Sequence, residues 1–187
     1  MILNVVMVAS VRQGLSDMKG YTGSTTKPAI RDLFQTPKYV FNWYNKQYKF
    51  NCDVAASDHN HLVPVYLTED DDALTADWGT TNWCNPPYSN IRPWVDKAIA
   101  EARKGNTTVM LVPADTSVAW FREAYNNCSA CEFISGRISF INADTGKPQS
   151  GNNKGSVVFV FDAIEGYEPV KLIDRCDMEN ADERTNS

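Results

Sequence analysis

The sequence predicts an α/β protein built on a mainly parallel sheet with an antiparallel edge. Short apolar runs alternate with segments of helical periodicity, the pattern of strands joined by crossover helices. The last two apolar runs, 131–140 and 156–161, are separated by a Gly/Asn/Lys loop and no helix, which suits an antiparallel pair at the sheet edge. With 187 residues, 43% of them hydrophobic and 22% charged, the chain can fill one core but not two ordinary domains.

Taken in order, the first expected element is a helix over 37–48. Apolar residues at 39, 40, 41, 43 and 44 follow the proline that opens it. Residues 50–55 read as a short strand and 64–67 as a second, followed by the acidic run Glu69-Asp70-Asp71-Asp72. Trp83-Cys84 ends a third strand. In the next helix Ile91, Trp94, Val95, Ala98 and Ala102 share a face, with Asn90 as cap and Gly105 as terminator. Residues 107–113 read as a buried strand, and 118–125 as a helix with Thr116 or Ser117 near its cap. Beyond Asp174 the acidic composition predicts a disordered tail. The expected organisation is a basic extension over 1–33, one domain over 34–173 and an acidic tail over 174–187.

No apolar run approaches the roughly 18–20 residues of a membrane span. The apolar start lacks a basic region before it, so no secretory leader is expected, and Met18 offers an equal alternative start. A cytoplasmic address follows as the default. Five scattered cysteines, an odd number, suit reduced core thiols better than a disulfide framework. The net charge of -5 is unevenly spread. Residues 1–50 carry seven Lys/Arg against two Asp/Glu, whereas 51–80 carry none against seven and 161–187 three against eight. The basic amino-terminal part is suited to phosphates and the acidic end to solvent, although a plain solvated asymmetry gives the same counts.

The motif richest in chemistry is Asn85-Pro86-Pro87-Tyr88, at a strand end before a helix. An amide oxygen and a proline carbonyl accept the two hydrogens of a planar amino group, while an aromatic ring stacks on the heterocycle bearing it. That suits methylation of an exocyclic amine on a nucleobase. Asp53, Asp72 and Asn85 each fall at or just beyond a predicted strand's carboxyl end, where open α/β sheets bind ligands.

Several ordered motifs extend this pattern: Gln35-Thr36-Pro37; Phe50-Asn51-Cys52-Asp53-Val54-Ala55-Ala56-Ser57; Asp72-Ala73-Leu74 with Trp78; Leu111-Val112-Pro113-Ala114 with Trp120-Phe121; and Gly136-Arg137-Ile138-Ser139-Phe140. With Asn85-Pro86-Pro87-Tyr88 among them, the chain from about Phe34 to Phe161 resembles the phage-encoded DNA adenine-N6 methyltransferases (Dam-type). The resemblance implies a Rossmann-like single-domain fold, S-adenosylmethionine as cofactor, and DNA as partner in a phage or prophage setting. It implies Asn85, Pro86, Pro87 and Tyr88 as the catalytic set: the Asn85 side chain and the Pro86 carbonyl accept from adenine N6, and Tyr88 stacks on a base flipped out of the duplex. For cofactor binding it points to Thr36, Pro37, Asp53, Ala55, Asp72 and Leu74. The chain departs from larger methyltransferases in having Ala55-Ala56-Ser57-Asp58 where a glycine-rich loop is common, and no acidic ribose ligand is identifiable after the second strand.

Arg137, Lys147 and Lys154 are the candidates for phosphate contacts, and Gln149, Asn152 and Asn153 for base edges. Specificity would then fall to the loop 142–155 and the basic amino-terminal part. No metal is expected: His59-Asn60-His61 and the single Cys128-Ser-Ala-Cys131 lack a four-ligand set. A monomer or weak dimer is left open. Competing readings are the same chemistry on a protein glutamine, since Asn-Pro-Pro-Tyr serves there too, or on RNA. A catalytically silent nucleic-acid-binding module is the third, and it has no need of the intact motif.

Overall fold

The computed structural model describes residues 34–143, 145–149, 154–163 and 170–185. The extension expected over 1–33, and Asn152 and Asn153, lie outside these residues. Nine strands and four helices follow one another among them. They are β1 (Phe34–Gln35), α1 (Lys38–Tyr48), β2 (Cys52–Asp53), β3 (Thr81–Cys84), α2 (Arg92–Arg103), β4 (Thr107–Pro113), α3 (Ala119–Asn127), β5 (Ala130–Ser135), β6 (Phe140–Asn142), β7 (Pro148–Gln149), β8 (Ser156–Phe161), β9 (Lys171–Asp174) and α4 (Arg175–Glu183).

A six-stranded sheet runs in the order β2-β3-β4-β8-β5-β9, and a small one in the order β1-β6-β7. In the large sheet β2, β3 and β4 pair in parallel, as do β5 and β9. The antiparallel strand is β8, and it lies inside the sheet between β4 and β5. The expected antiparallel edge is therefore corrected: the edge next to β5 is β9, which runs parallel to it. All six residues of β8 are buried, the pattern of a central strand and not an edge.

Alternation along the strands splits the core in two. Cys84, Met110, Val112 and Phe159 pack with Val95, Ala98 and Phe121, so α2 and α3 cover one face. Trp83, Val109, Leu111 and Val158 pack with Val40, Phe41, Tyr44 and Met178, so α1 and α4 cover the other.

Other expected boundaries shift for local reasons. The run 131–140 is two strands, because Gly136 at φ 84° turns the chain out of β5 and toward the second sheet. Residues 64–67 form one parallel bridge, Tyr66 to Asp53, supported by main-chain bonds between Asp53 and both Val65 and Leu67. Helix α2 is capped at Ile91 and not Asn90, with a proline in its first turn, and α3 is capped at Val118.

Within the segment 174–187, expected to be a disordered tail, residues 175–183 instead form helix α4. Asp174 caps it by accepting from Cys176 N at 2.8 Å. Met178 is fully buried against α1, whose Asn42 donates to Asp182 at 2.7 Å and whose Lys46 reaches the Ala181 carbonyl at 3.0 Å. Met178 and these polar ties join to α1 a helix that composition alone marks as acidic and unanchored. Among the described residues no helix is long and apolar enough to cross a membrane.

Candidate active site

The carboxyl ends of β2 and β3 open into a cleft of about 740 Å³. Thr36, Asp53, Ala55, Asp72, Leu74, Asn85 and Pro87 all line it. Sequence positions 49 residues apart, from Thr36 to Asn85, thus share one cavity, with β2 and β3 as parallel neighbours and Phe34 and Gln35 of β1 also in its lining. Pro37 stands beside it as the extended residue that opens α1, with φ -61° and ψ 141°.

Asp53 ends β2 and is 3% exposed. Burial pushes its carboxyl up to about 6, against the main-chain N–H groups of Leu62 and Ala55, which pull it down. The Leu62 N–H donates to Asp53 Oδ2 at 3.1 Å. A carboxyl so placed gains from a cation entering the cleft. Ala55 and Ala56 keep the adjoining wall low.

The acidic run, exposed to solvent, is nonetheless ordered by its own hydrogen bonds. Residues Glu69–Asp71 make one 3-10 turn, with Asp71 Oδ2 accepting from both the main-chain N–H and the hydroxyl of Thr68 at 2.8 Å. Asp72 closes that turn in the left-handed region at φ 46°. Its Oδ2 accepts from the Thr75 hydroxyl at 3.0 Å, and its carbonyl accepts from the Thr75 and Ala76 N–H groups. Ala73 and Leu74 both line the cleft, and the Ala73 carbonyl accepts from Trp78 Nε1 at 2.7 Å.

Asn85 follows β3 directly. Its Nδ2 donates to the Phe34 carbonyl at 3.2 Å, and its Oδ1 is buried with no partner among the described residues. Thr36 Oγ1 is likewise buried and unpaired. An unmet buried polar atom costs about 1–3 kcal/mol, and both of these belong to residues that line the cleft. Pro86 is buried and, unlike its neighbours Asn85 and Pro87, does not line the cleft.

Tyr88 does not line the cleft. Its ring stands edge-on to Phe140, with centroids 6.0 Å apart, and its hydroxyl is buried without a partner among the described residues. Burial, and after it Cys84, raises its phenol well above the ordinary tyrosine range.

The nucleic-acid candidates lie elsewhere. Arg137 is exposed between β5 and β6, and Lys147 is exposed beside the tight β6–β7 turn. Lys154 is paired with Asp115, just past the end of β4. Gln149 accepts from Asn142 at 2.8 Å within that hairpin.

Sequence reasoning missed part of the lining. Ser57, Asn60, Thr68 and Trp94 all face the cleft. The Thr68-x-x-Asp71 capping pattern was a legible signal for one of them. Trp94 reads as core from its helical spacing, yet it lies beside Trp78, with ring centroids 6.3 Å apart, at the cleft floor. Among the described residues no group of three or more His, Cys, Asp or Glu is placed to hold a metal.

Comparison with known proteins covers nearly the same span. Residues 23–185 match the family model described as DNA N-6-adenine-methyltransferase (Dam). A DNA N-6-adenine-methyltransferase of Escherichia phage T1 is 38% identical over 166 residues, covering 79% of this chain and 70% of the phage protein. Another, of Haemophilus phage HP1 (strain HP1c1), is 40% identical over 156 residues, covering 80% of this chain and 90% of its own.

Proposed function

The chain belongs to the DNA N-6-adenine-methyltransferase (Dam) family, and from that membership we propose that it transfers a methyl group from S-adenosylmethionine to adenine N6 in duplex DNA. The observation that carries the proposal is Asn85, a cleft-lining residue whose amide nitrogen is tied to Phe34 and whose oxygen is buried with no partner among the described residues.

The residues present fit the cofactor. A buried carboxyl at Asp53 suits its cationic methionine part, and the unpaired Thr36 hydroxyl suits a polar group beside the start of α1. Asp72 and Leu74 pair an acceptor with an apolar surface on one wall, the combination that holds a purine. Bound there, S-adenosylmethionine supplies a methyl group activated by the positive sulfur.

Asn85 and the Pro86 carbonyl then act on the other substrate. The adenine N6 lone pair is delocalised into its ring and attacks poorly. Two acceptors on its hydrogens bias the nitrogen toward a tetrahedral, attacking geometry. Positioning and electrostatics supply most of the acceleration. An amide takes up no proton at neutral pH, so Asn85 orients without acting as a base. The methylated nitrogen is acidic and loses its proton to water. Flipping the base out of the stack brings N6 into the cleft. Tyr88 serves as the stacking platform only if its ring turns from Phe140 toward the cleft, so stacking belongs to the DNA-bound state.

Arg137, Lys147 and Lys154 are proposed as phosphate contacts, on a protein acting in the host cytoplasm as a phage or prophage product. The test offers labelled S-adenosylmethionine with unmethylated duplex DNA, RNA and host protein in parallel. Label on DNA adenine alone is expected. Label on RNA or a glutamine side chain moves the chemistry to that acceptor, and cofactor binding without any transfer reduces the protein to a binding module.

A further inference from the structure

The direction of the Asn85 amide is dictated by a partner far away in sequence. Its Nδ2 donates to the Phe34 carbonyl, 51 residues upstream, at 3.2 Å. A carbonyl oxygen only accepts, so the amide nitrogen must face it and Oδ1 must turn the other way. Phe34 is held in turn by the small sheet, opposite Asn142, with Gln35 opposite Ile141. Strand β6 pairs onward to β7, and the Phe34 ring stacks on Phe140 with centroids 6.4 Å apart. The hairpin that carries Lys147 therefore also fixes the main chain that aims Asn85.

We propose that the Phe34 carbonyl is a positioning group for methyl transfer, and that it makes an amide rather than a carboxylate the required side chain at position 85. For what Oδ1 accepts, this rests on the proposed function; the clamp on Nδ2 does not. In Asn85→Asp a carboxylate oxygen replaces Nδ2, and two acceptors face each other with no donor between them. The carboxylate must rotate away or take up a proton. Once protonated, it donates to the Phe34 carbonyl and presents its other oxygen as the amide does. The variant's turnover should thus recover toward acid, which the native side chain gives no reason to expect.

Two measurements on the full chain test this. The first is the through-hydrogen-bond coupling between the Asn85 side-chain nitrogen and the Phe34 carbonyl carbon in isotope-labelled protein. The second is single-turnover methyl transfer to duplex DNA at saturating cofactor, from about pH 5.5 to about pH 8.5, for wild type and Asn85→Asp. A resolved coupling is expected, with Asn85→Asp slower by roughly 100-fold at the alkaline end and about 10-fold less impaired at the acid end. An absent coupling, a variant as fast as wild type at alkaline pH, or a deficit constant across pH would overturn the inference. Wild-type protein that methylates no DNA sinks the proposed function instead, and the coupling still decides the clamp.

Discussion

Lys154 and Asp115, 39 residues apart, form an ion pair that ties the start of β8 to the loop leaving β4. Asp115 also accepts from the Ser117 hydroxyl at 2.5 Å. With burial opposing them, these partners hold its carboxyl below the usual range. The Lys154 charge is already matched inside the protein, whereas Lys147 stands exposed at its hairpin. Measuring DNA affinity against salt separates them. Lys147→Ala should lower the slope of log K against log salt by about 1, and Lys154→Ala by clearly less. Equal losses would mean that DNA draws Lys154 away from Asp115.

Asp53 should make cofactor affinity depend on pH. Its carboxyl titrates at about 6, so the anion that favours a cationic ligand forms as pH rises through that value. Affinity for S-adenosylmethionine, read by calorimetry, should tighten between about pH 5 and about pH 7. In Asp53→Asn it should be weaker and flat over the same window.

Linkage gives the same residue an opposite effect on the free protein. A carboxyl whose folded value lies above its unfolded value of 3.8 keeps its proton longer when folded. Stability from this group is thus lost as pH rises from about 4 through about 6. Asp53→Asn should stabilise the cofactor-free chain by about 1–2 kcal/mol at neutral pH and by little at about pH 4, seen as urea midpoints. A destabilised variant at neutral pH would show that the Leu62 contact outweighs the buried charge.

Glu101 works in the other direction. It is 1% exposed in α2 and accepts from Lys104 and Asn106, each at 2.8 Å, with Lys97 at 2.9 Å. Burial acts to raise its carboxyl, but the hydrogen bonds from Lys104, Lys97 and Asn106 prevail and hold it at about 2. Lys97 also donates to the Ala76 carbonyl at 2.7 Å, so the cluster pins the segment behind Leu74. The stability it contributes is present above the unfolded value of 4.5 and lost as pH falls toward about 2. Glu101→Gln should cost about 1.5–3 kcal/mol at neutral pH, with the gap to wild type closing in acid. A gap independent of pH would place the loss in packing.

Helix α4 predicts its own test. Met178→Ala should cost about 2–5 kcal/mol in unfolding experiments, because it empties a fully buried position between α4 and α1. A neutral substitution would return residues 175–183 to the status of a dispensable tail.

Much of this was readable from the residues. Alternating periodicity gave the α/β class, and Asp53, Asp72 and Asn85 were placed together by the rule that such sheets bind ligands at strand ends. What stayed hidden depends on contacts far apart in sequence. The run 157–161 is apolar at every position, which marks both faces as covered, but its neighbours β4 and β5 cannot be read from it. Helix α4 carries little apolar surface, and its dock rests on Met178 and on ties to Asn42 and Lys46 that lie far away in sequence. The Phe34 carbonyl is a main-chain group that no residue pattern marks. Tyr88 was legible as an aromatic at the motif, but its edge-on packing against Phe140 was not.

The central claim is that the Asn85 amide aims adenine N6 at the methyl donor. Digestion of duplex DNA after reaction with S-adenosylmethionine, followed by mass analysis of its nucleosides, tests it most directly. Wild type should yield N6-methyladenine, and Asn85→Ala should yield at least about 100-fold less while still binding cofactor. Equal yields from the two proteins, or methyl groups found only on another base, would contradict it.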